Sequence, residues 1–273
     1  MEQNICLRVN NLQTSFYTDR GVIHSVRGVS FDVRKGEMLG IVGESGCGKS
    51  VTAFSILNQV KHPGRIDSGE VVFHGKDLLK LSESEMRKLR GSSMSMIFQE
   101  PLTALNPSFS IGWQIAEAYR IQGEKDKAVI RERTIDILRR VKLPEPELRM
   151  KEYPYQFSGG MRQRALIALA LACKPELVFA DEPTTALDVT VQAEILDLIE
   201  SLQAEMNMSV VLISHNLNLI GERCGRVLVF YAGKIIEEAE TAELFKHPAH
   251  PYTVGLFGSL LSIHQDGKAD PKT

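Results

Sequence analysis

The spacing of apolar positions predicts a chain that opens as β structure. Residues 5–9 (ICLRV), 22–33 (VIHSVRGVSFDV) and 38–42 (MLGIV) are short apolar or alternating runs punctuated by Gly, Asn and Asp, as strands and turns are. Residues 49–59 read as helix, 69–75 (GEVVFHG) as a hairpin strand turned back toward the first sheet, and 93–99 (SMSMIFQ) as a strand stopped by Pro101. From Ile111 to Val141 the pattern changes to a charged helical period, which predicts a helical insert ended by Pro144 and Pro146. Strand and helix then alternate: a helix over 160–172, strand LVFAD, a helix over 190–206, strand SVVLIS, a helix near 216–223 and strand RVLVFY. That alternation predicts a mostly parallel sheet covered by helices, an α/β fold. From about 247 the chain predicts one short helix and a polar, frayed end.

Composition narrows the class. With 273 residues, 43% of them hydrophobic and 24% charged, the chain can bury a sizeable core. A formal net charge of -2 argues against a broadly basic nucleic-acid surface, so no nucleic-acid partner is expected. The four cysteines, Cys6, Cys47, Cys173 and Cys224, form no CxxC pair, which points to neither a disulfide framework nor a zinc site and fits the cytosol. The opening MEQNICLRVNN lacks a basic region followed by an apolar core. The longest apolar run, ALIALALAC at 165–173, is far short of a membrane span, so the chain is expected neither to cross the bilayer nor to be secreted by that route.

Candidate chemistry begins at GESGCGKS, residues 43–50, between the strand MLGIV and the first helix. A helix start carries unpaired N–H groups and a partial positive charge, and glycines let the backbone close around a phosphate. Gly43, Gly46 and Gly48 meet that need. Glu44, Ser45, Cys47 and Val51 complete the loop and the helix start, Cys47 as a small spacer. Lys49 can reach the β- and γ-phosphates, and the Ser50 hydroxyl can serve Mg²⁺. A phosphate cradle alone hydrolyses nothing. LVFADEP at 177–183 supplies the second acidic site: Asp181, at the carboxyl end of an apolar strand, would hold the Mg²⁺ shell directly or through water, and Glu182 would orient or deprotonate the attacking water. His215 ends the next strand and is either a contact to the γ-phosphate or water, or a structural histidine.

At FSGGMRQR, residues 157–164, the chain resembles the ATP-binding cassette ATPases, whose signature usually reads L-S-G-G-Q; FQEP, DEPTTALD and ISH follow the family's order over nearly the whole chain. The resemblance implies a P-loop nucleotide triphosphatase with a RecA-like core, an N-terminal antiparallel β subdomain and a helical subdomain at about 100–165. The nucleotide-binding domain would span 1–246, with a short extension over 247–273. It further implies that Ser158, Gly159 and Gly160 start a helix gripping the γ-phosphate of ATP held by an opposite subunit. Gln99 would ligate Mg²⁺ and sense a membrane partner, Asp188 would couple the two sites, and His215 would be the γ-phosphate sensor. Phe16 aligns with the aromatic that stacks on adenine, with Tyr17 the second choice and ordinary strand packing the alternative for Phe16.

Phe157, Met161 and Thr185 depart from the usual Leu, Gln and Ser. Together with FQEPLTALNP and HPAHPYT, these departures resemble the dipeptide, oligopeptide and nickel importer branch. Many peptide-importing members of that branch add a Cys-rich tail for an iron-sulfur cluster, and no such tail appears in this sequence, which leaves peptide, nickel or another small solute open. The branch implies a peripheral ATPase at the cytoplasmic face of the inner membrane. Its implied partners are a second, related ATPase chain, two permease subunits and, indirectly, an extracytoplasmic solute-binding protein, although a homodimer is chemically possible. The rival is a soluble cassette ATPase of DNA repair, chromosome maintenance or translation, which would usually carry coiled-coil, zinc or second-cassette insertions not visible here.

Overall fold

The computed structural model describes residues 4–185 and 187–265, those from 259 onward by backbone alone. The chain runs through β1 (Ile5–Thr18), β2 (Gly21–Arg34), β3 (Met38–Val42), α1 (Lys49–Ile56), β4 (Gly64–Phe73), β5 (Lys76–Asp77), α2 (Glu83–Leu89) and β6 (Met94–Ile97). A helical region follows, with α3 (Pro101–Ala104), α4 (Ile111–Ile121), α5 (Lys127–Arg140), α6 (Pro146–Arg149) and α7 (Gly159–Leu171). The remainder alternates β7 (Leu177–Asp181), α8 (Val189–Met206), β8 (Ser209–Ser214), α9 (Leu217–Arg223) and β9 (Arg226–Tyr231). It closes with β10 (Lys234–Glu240), α10 (Thr241–Lys246) and α11 (Pro251–Gln265).

Two sheets form. The four-stranded sheet, in the order β2-β1-β4-β5, is antiparallel. The six-stranded sheet, in the order β10-β9-β3-β8-β7-β6, is parallel from β9 to β6 and antiparallel at its β10 edge. Alternation along each parallel strand sends side chains to opposite faces. Leu39, Ile41, Phe179, Ile213 and Phe230 pack with Leu7, Val26 and Ile56 of the antiparallel sheet and α1. Val42, Val178, Ala180, Leu212 and Val229 pack on the other side with Ile167, Leu171, Ile195 and Ile199 of α7 and α8. Both faces are covered, which is why these strands are continuous apolar runs.

Register decides where the chemistry emerges. Val42 pairs with Ser214 and Ile41 with Ile213 between β3 and β8, while Asp181 pairs with the same Ile213 between β7 and β8. The carboxyl ends of three neighbouring strands therefore finish at one edge, where open α/β sheets gather ligand groups.

Several elements differ from the pattern reading. β1 does not stop near Val9: it continues to Thr18 past Asn11, which takes φ 46, with a register shift between Val9 and Leu12. The helical insert is two helices. Gly123, at φ 95, turns the chain, and Asp126 restarts it by accepting from the Ala128 and Val129 N–H groups. Pro146 opens α6 rather than ending the insert, a position where its missing N–H costs nothing. The polar end expected beyond 265 lies outside the described residues. Among the described residues no helix is long and apolar enough to cross a membrane.

Candidate functional site

Strand β3 delivers the chain into a loop that only glycine can follow at two points. Gly43 has φ 150 and Gly48 φ 107. A Cβ on Gly43 would lie 2.3 Å from the Phe230 carbonyl oxygen, and one on Gly48 would lie 2.3 Å from that of Ser25. Both obstacles are backbone, so neither can yield. The loop is thus seated on β9 and β2, beside a cleft of about 320 Å³ lined by Ser45, Gly46, Gly48, Lys49, Ser50, Val51, Gln99 and Glu182. Gly48 caps α1 without a side-chain acceptor, leaving the first-turn N–H groups available to an anion. The buried Lys49 ammonium donates to the Gly43 carbonyl at 2.8 Å and to that of Glu44 at 2.9 Å. Cys47 is buried, its Sγ 3.8 Å from that ammonium; burial pushes its thiol pKa up against the pull of Lys49.

The acidic pair emerges from β7 beside this loop. Asp181 is buried, and Ser50 Oγ donates to its Oδ1 at 2.8 Å. Burial raises the Asp181 pKa, opposed by the Ser50 hydroxyl, reinforced by the charge of Glu182 and opposed again by Lys49. Glu182 takes φ 45, a left-handed conformation that costs energy for a residue with a Cβ. Its N–H is fixed to the Ile213 carbonyl at 2.9 Å. Three groups meet its carboxylate: Gln99 Nε2 donates to Oε2 at 2.9 Å, Thr185 Oγ1 donates to the same oxygen at 3.0 Å, and His215 Nδ1 lies 3.0 Å from Oε1. The fold brings Lys49, Ser50, Gln99, Asp181, Glu182 and His215 to one sheet edge. In the sequence Thr185 stands out only as a departure at the edge of the motif; a hydroxyl three residues after a turn carboxylate is the available signal.

Ser158, Gly159, Gly160 and Asp188 form a separate group. Ser158 caps α7, its Oγ accepting from the Met161 N–H at 3.3 Å, and Asp188 caps α8, accepting from the Val191 N–H at 3.0 Å. The two helix starts pack closely: a Cβ on Gly160 would lie 3.0 Å from Val191 Cγ1, and one on Gly159 would lie 3.3 Å from Leu187 Cδ2. Ser158 and Asp188 are exposed, and neither lines the phosphate-loop cleft of their own chain.

Phe16 and Tyr17 part company. The Tyr17 hydroxyl donates to Asp67 and accepts from Arg65, both at 2.8 Å, and the Arg65 guanidinium lies 4.0 Å over its ring. Phe16, half-buried, instead borders a cleft of about 710 Å³ together with Val51, Phe54, His62, Phe98 and Ala104.

A glycine loop closing on a helix start, beside a buried Asp and a constrained Glu at the carboxyl ends of parallel strands, defines a P-loop nucleoside triphosphatase. The family model described as ABC transporter matches residues 26–185. The chain is 52% identical over 258 residues to a probable peptide ABC transporter ATP-binding protein of Sinorhizobium fredii, covering 94% of this chain and 77% of that one. It is 48% identical over 262 residues to the dipeptide transport ATP-binding protein of Bacillus subtilis, covering 96% and 78%. A solved dimeric ATP-binding cassette in a post-hydrolysis state with ADP and Pi superposes with TM-score 0.77 at 26% identity, covering 86% of this chain and 98% of that one. The chain belongs to the ABC transporter family, and it is an ATP-binding transport ATPase.

Proposed function

We propose that this chain is an ATP-hydrolysing subunit of a peptide importer, held at the cytoplasmic face of the membrane by two permease subunits and paired there with a second, related ATPase. The observation that carries the hydrolytic part is the Glu182 carboxylate, held by Gln99, Thr185 and His215 beside the Ser50–Asp181 pair. Peptide is favoured over nickel because the relatives reported above are named for peptide and dipeptide transport.

The loop N–H groups and Lys49 receive the phosphates of ATP, and Phe16 stacks on adenine. The hydroxyl of Ser50 and the carboxylate of Asp181 are hard oxygen donors of the kind Mg²⁺ takes, and Gln99 adds an amide oxygen at the same edge. No group of three or more His, Cys, Asp or Glu that could hold a metal occurs among the described residues, which fits an ion completed by phosphates and water rather than an all-protein cage. When bound, Mg²⁺ neutralises charge on the β- and γ-phosphate oxygens. Glu182 orients the attacking water and takes its proton, while its three neighbours fix where that carboxylate points. Ser158, Gly159 and Gly160 of a mate cap the γ-phosphate, and Asp188 links the two sites. The helical region from α3 to α6 receives the permease; its Ala104 lines the same cleft as Phe98, the residue before Gln99.

In the assembled complex, Glu182→Gln is expected to bind ATP yet lose about 10²–10⁴ of the turnover rate, the usual contribution of a general base. Parental turnover in that variant would sink the assignment. Stimulation of ATP turnover by a binding protein loaded with di- or oligopeptide, and not with nickel, tests the solute.

A further inference from the structure

The segment after α10 returns to the phosphate loop. The Glu237 carboxylate on β10 accepts from the Ala249 N–H at 2.7 Å and the His250 N–H at 3.1 Å, which pins the chain just before α11. The buried Thr253 hydroxyl lies close by but outside hydrogen-bonding geometry. From this anchor, Tyr252 lays its ring 4.5 Å from that of Tyr231 at the end of β9 and accepts the Glu44 N–H on its hydroxyl at 3.3 Å. Glu44 does not line the phosphate cleft. The Gly43–Glu44 peptide unit is held from outside by Tyr252 at its N–H and from inside by Lys49, which donates to its Gly43 carbonyl at 2.8 Å; the following carbonyl, that of Glu44, takes Lys49 at 2.9 Å and the Cys47 N–H at 3.3 Å.

We infer that Tyr252 is a positioning residue for nucleotide binding: residues 249–253 form a strap, fastened at Glu237, that fixes the outer edge of the phosphate loop. This rests on the reading of that loop as the ATP site. Once Lys49 turns toward a phosphate, its grip on the Gly43 carbonyl weakens, and the Tyr252 hydroxyl on the Glu44 N–H is then the contact that keeps the Gly43–Glu44 peptide unit in place. Phosphates are held in the loop before and during hydrolysis, so loosening it removes uniform binding: the KM for ATP rises and kcat stays.

The test measures binding of trinitrophenyl-ATP to the full chain for the parent, Lys49→Ala, Tyr252→Phe, Glu237→Gln and the Tyr252→Phe/Glu237→Gln double variant, with thermal unfolding recorded alongside. Tyr252→Phe is expected to weaken binding about three- to tenfold, the scale of one neutral hydrogen bond, with little change in the unfolding midpoint. Glu237→Gln should weaken binding in the same direction but less, and the double variant should bind no more weakly than Tyr252→Phe alone. In the assembled complex the KM for ATP should rise with kcat within about twofold. Unchanged affinity in Tyr252→Phe overturns the inference, as does a lower unfolding midpoint with reduced kcat and parental KM, the mark of a merely stabilising tail. Should Tyr252→Phe fail to fold, unchanged affinity in Glu237→Gln overturns it equally. Binding by the parent and loss of binding in Lys49→Ala would leave the nucleotide reading standing whatever Tyr252 does. A parent that binds no probe sinks that reading and the strap with it.

Discussion

At Glu182 a backbone cost and a side-chain gain meet in one residue. The left-handed φ of 45 turns the residue out of β7 at the site edge, and three side chains then hold its carboxylate. A conformation this costly persists only where its surroundings over-determine it. Thr185 is the nearest of the three in sequence and the least expected. Thr185→Val keeps the β-branched shape and deletes the donor. A hydrogen bond to a charged group contributes about 1.5–3 kcal/mol, so kcat in the assembled complex is expected to fall about 10- to 100-fold if the bond matters fully to the orientation of Glu182. The KM for ATP should hardly move, because Thr185 lines no part of the phosphate cleft. Steady-state kinetics of the variant check both numbers, and an unchanged kcat would reduce Thr185 to a turn residue.

Among the elements, the chain entering α11 is fastened by the Glu237 carboxylate. Burial alone would push the Glu237 carboxyl up, but the neighbouring Thr253 hydroxyl and the N–H groups of Ala249 and His250 outweigh it and hold the group below the ordinary Glu range. A carboxyl depressed in the folded state contributes stability above its unfolded value, about 4.3, and loses it as pH falls through the lower folded value. The unfolding midpoint of the parent should therefore exceed that of Glu237→Gln near neutral pH, with the gap closing as pH falls below the unfolded value. A gap that stays constant with pH would mean the anchor is not electrostatic. The same edge shows what sequence could carry. β7, β8 and β9 were legible because strands buried on both faces are unbroken apolar runs, and the phosphate loop and the Asp181–Glu182 pair were legible because their chemistry is contiguous. β10, KIIEEAE, sits at an edge and carries charge, so its pattern is blurred. The Ser82–Glu85 capping box that starts α2 was present in the sequence but precedes only a short, largely polar helix. Tyr252 was out of reach altogether, since it meets Glu44 across 208 positions and only the folded chain joins them.

Over the whole molecule, the site residues fall into two groups that do not share a cleft. Lys49, Ser50, Gln99 and Glu182 surround one space, while Ser158 and Asp188 stand exposed at two helix starts packed on each other. A helix start with exposed donors and no anion of its own is complementary to a phosphate presented by another chain. Two chains related head to tail would satisfy both groups at once, with ATP buried between them, and hydrolysis would remove the bridge. Glu182→Gln should therefore gather into dimers with ATP and dissociate with ADP, read by light scattering during gel filtration of the full chain. Adding Ser158→Glu places a carboxylate where the proposed arrangement would bring a mate's γ-phosphate, and like charges in that geometry repel. The double variant should stay monomeric with ATP while binding trinitrophenyl-ATP within about twofold of the single variant, because Ser158 lies outside the cleft of its own chain. Dimers that persist in the double variant would show that association does not run through the α7 start.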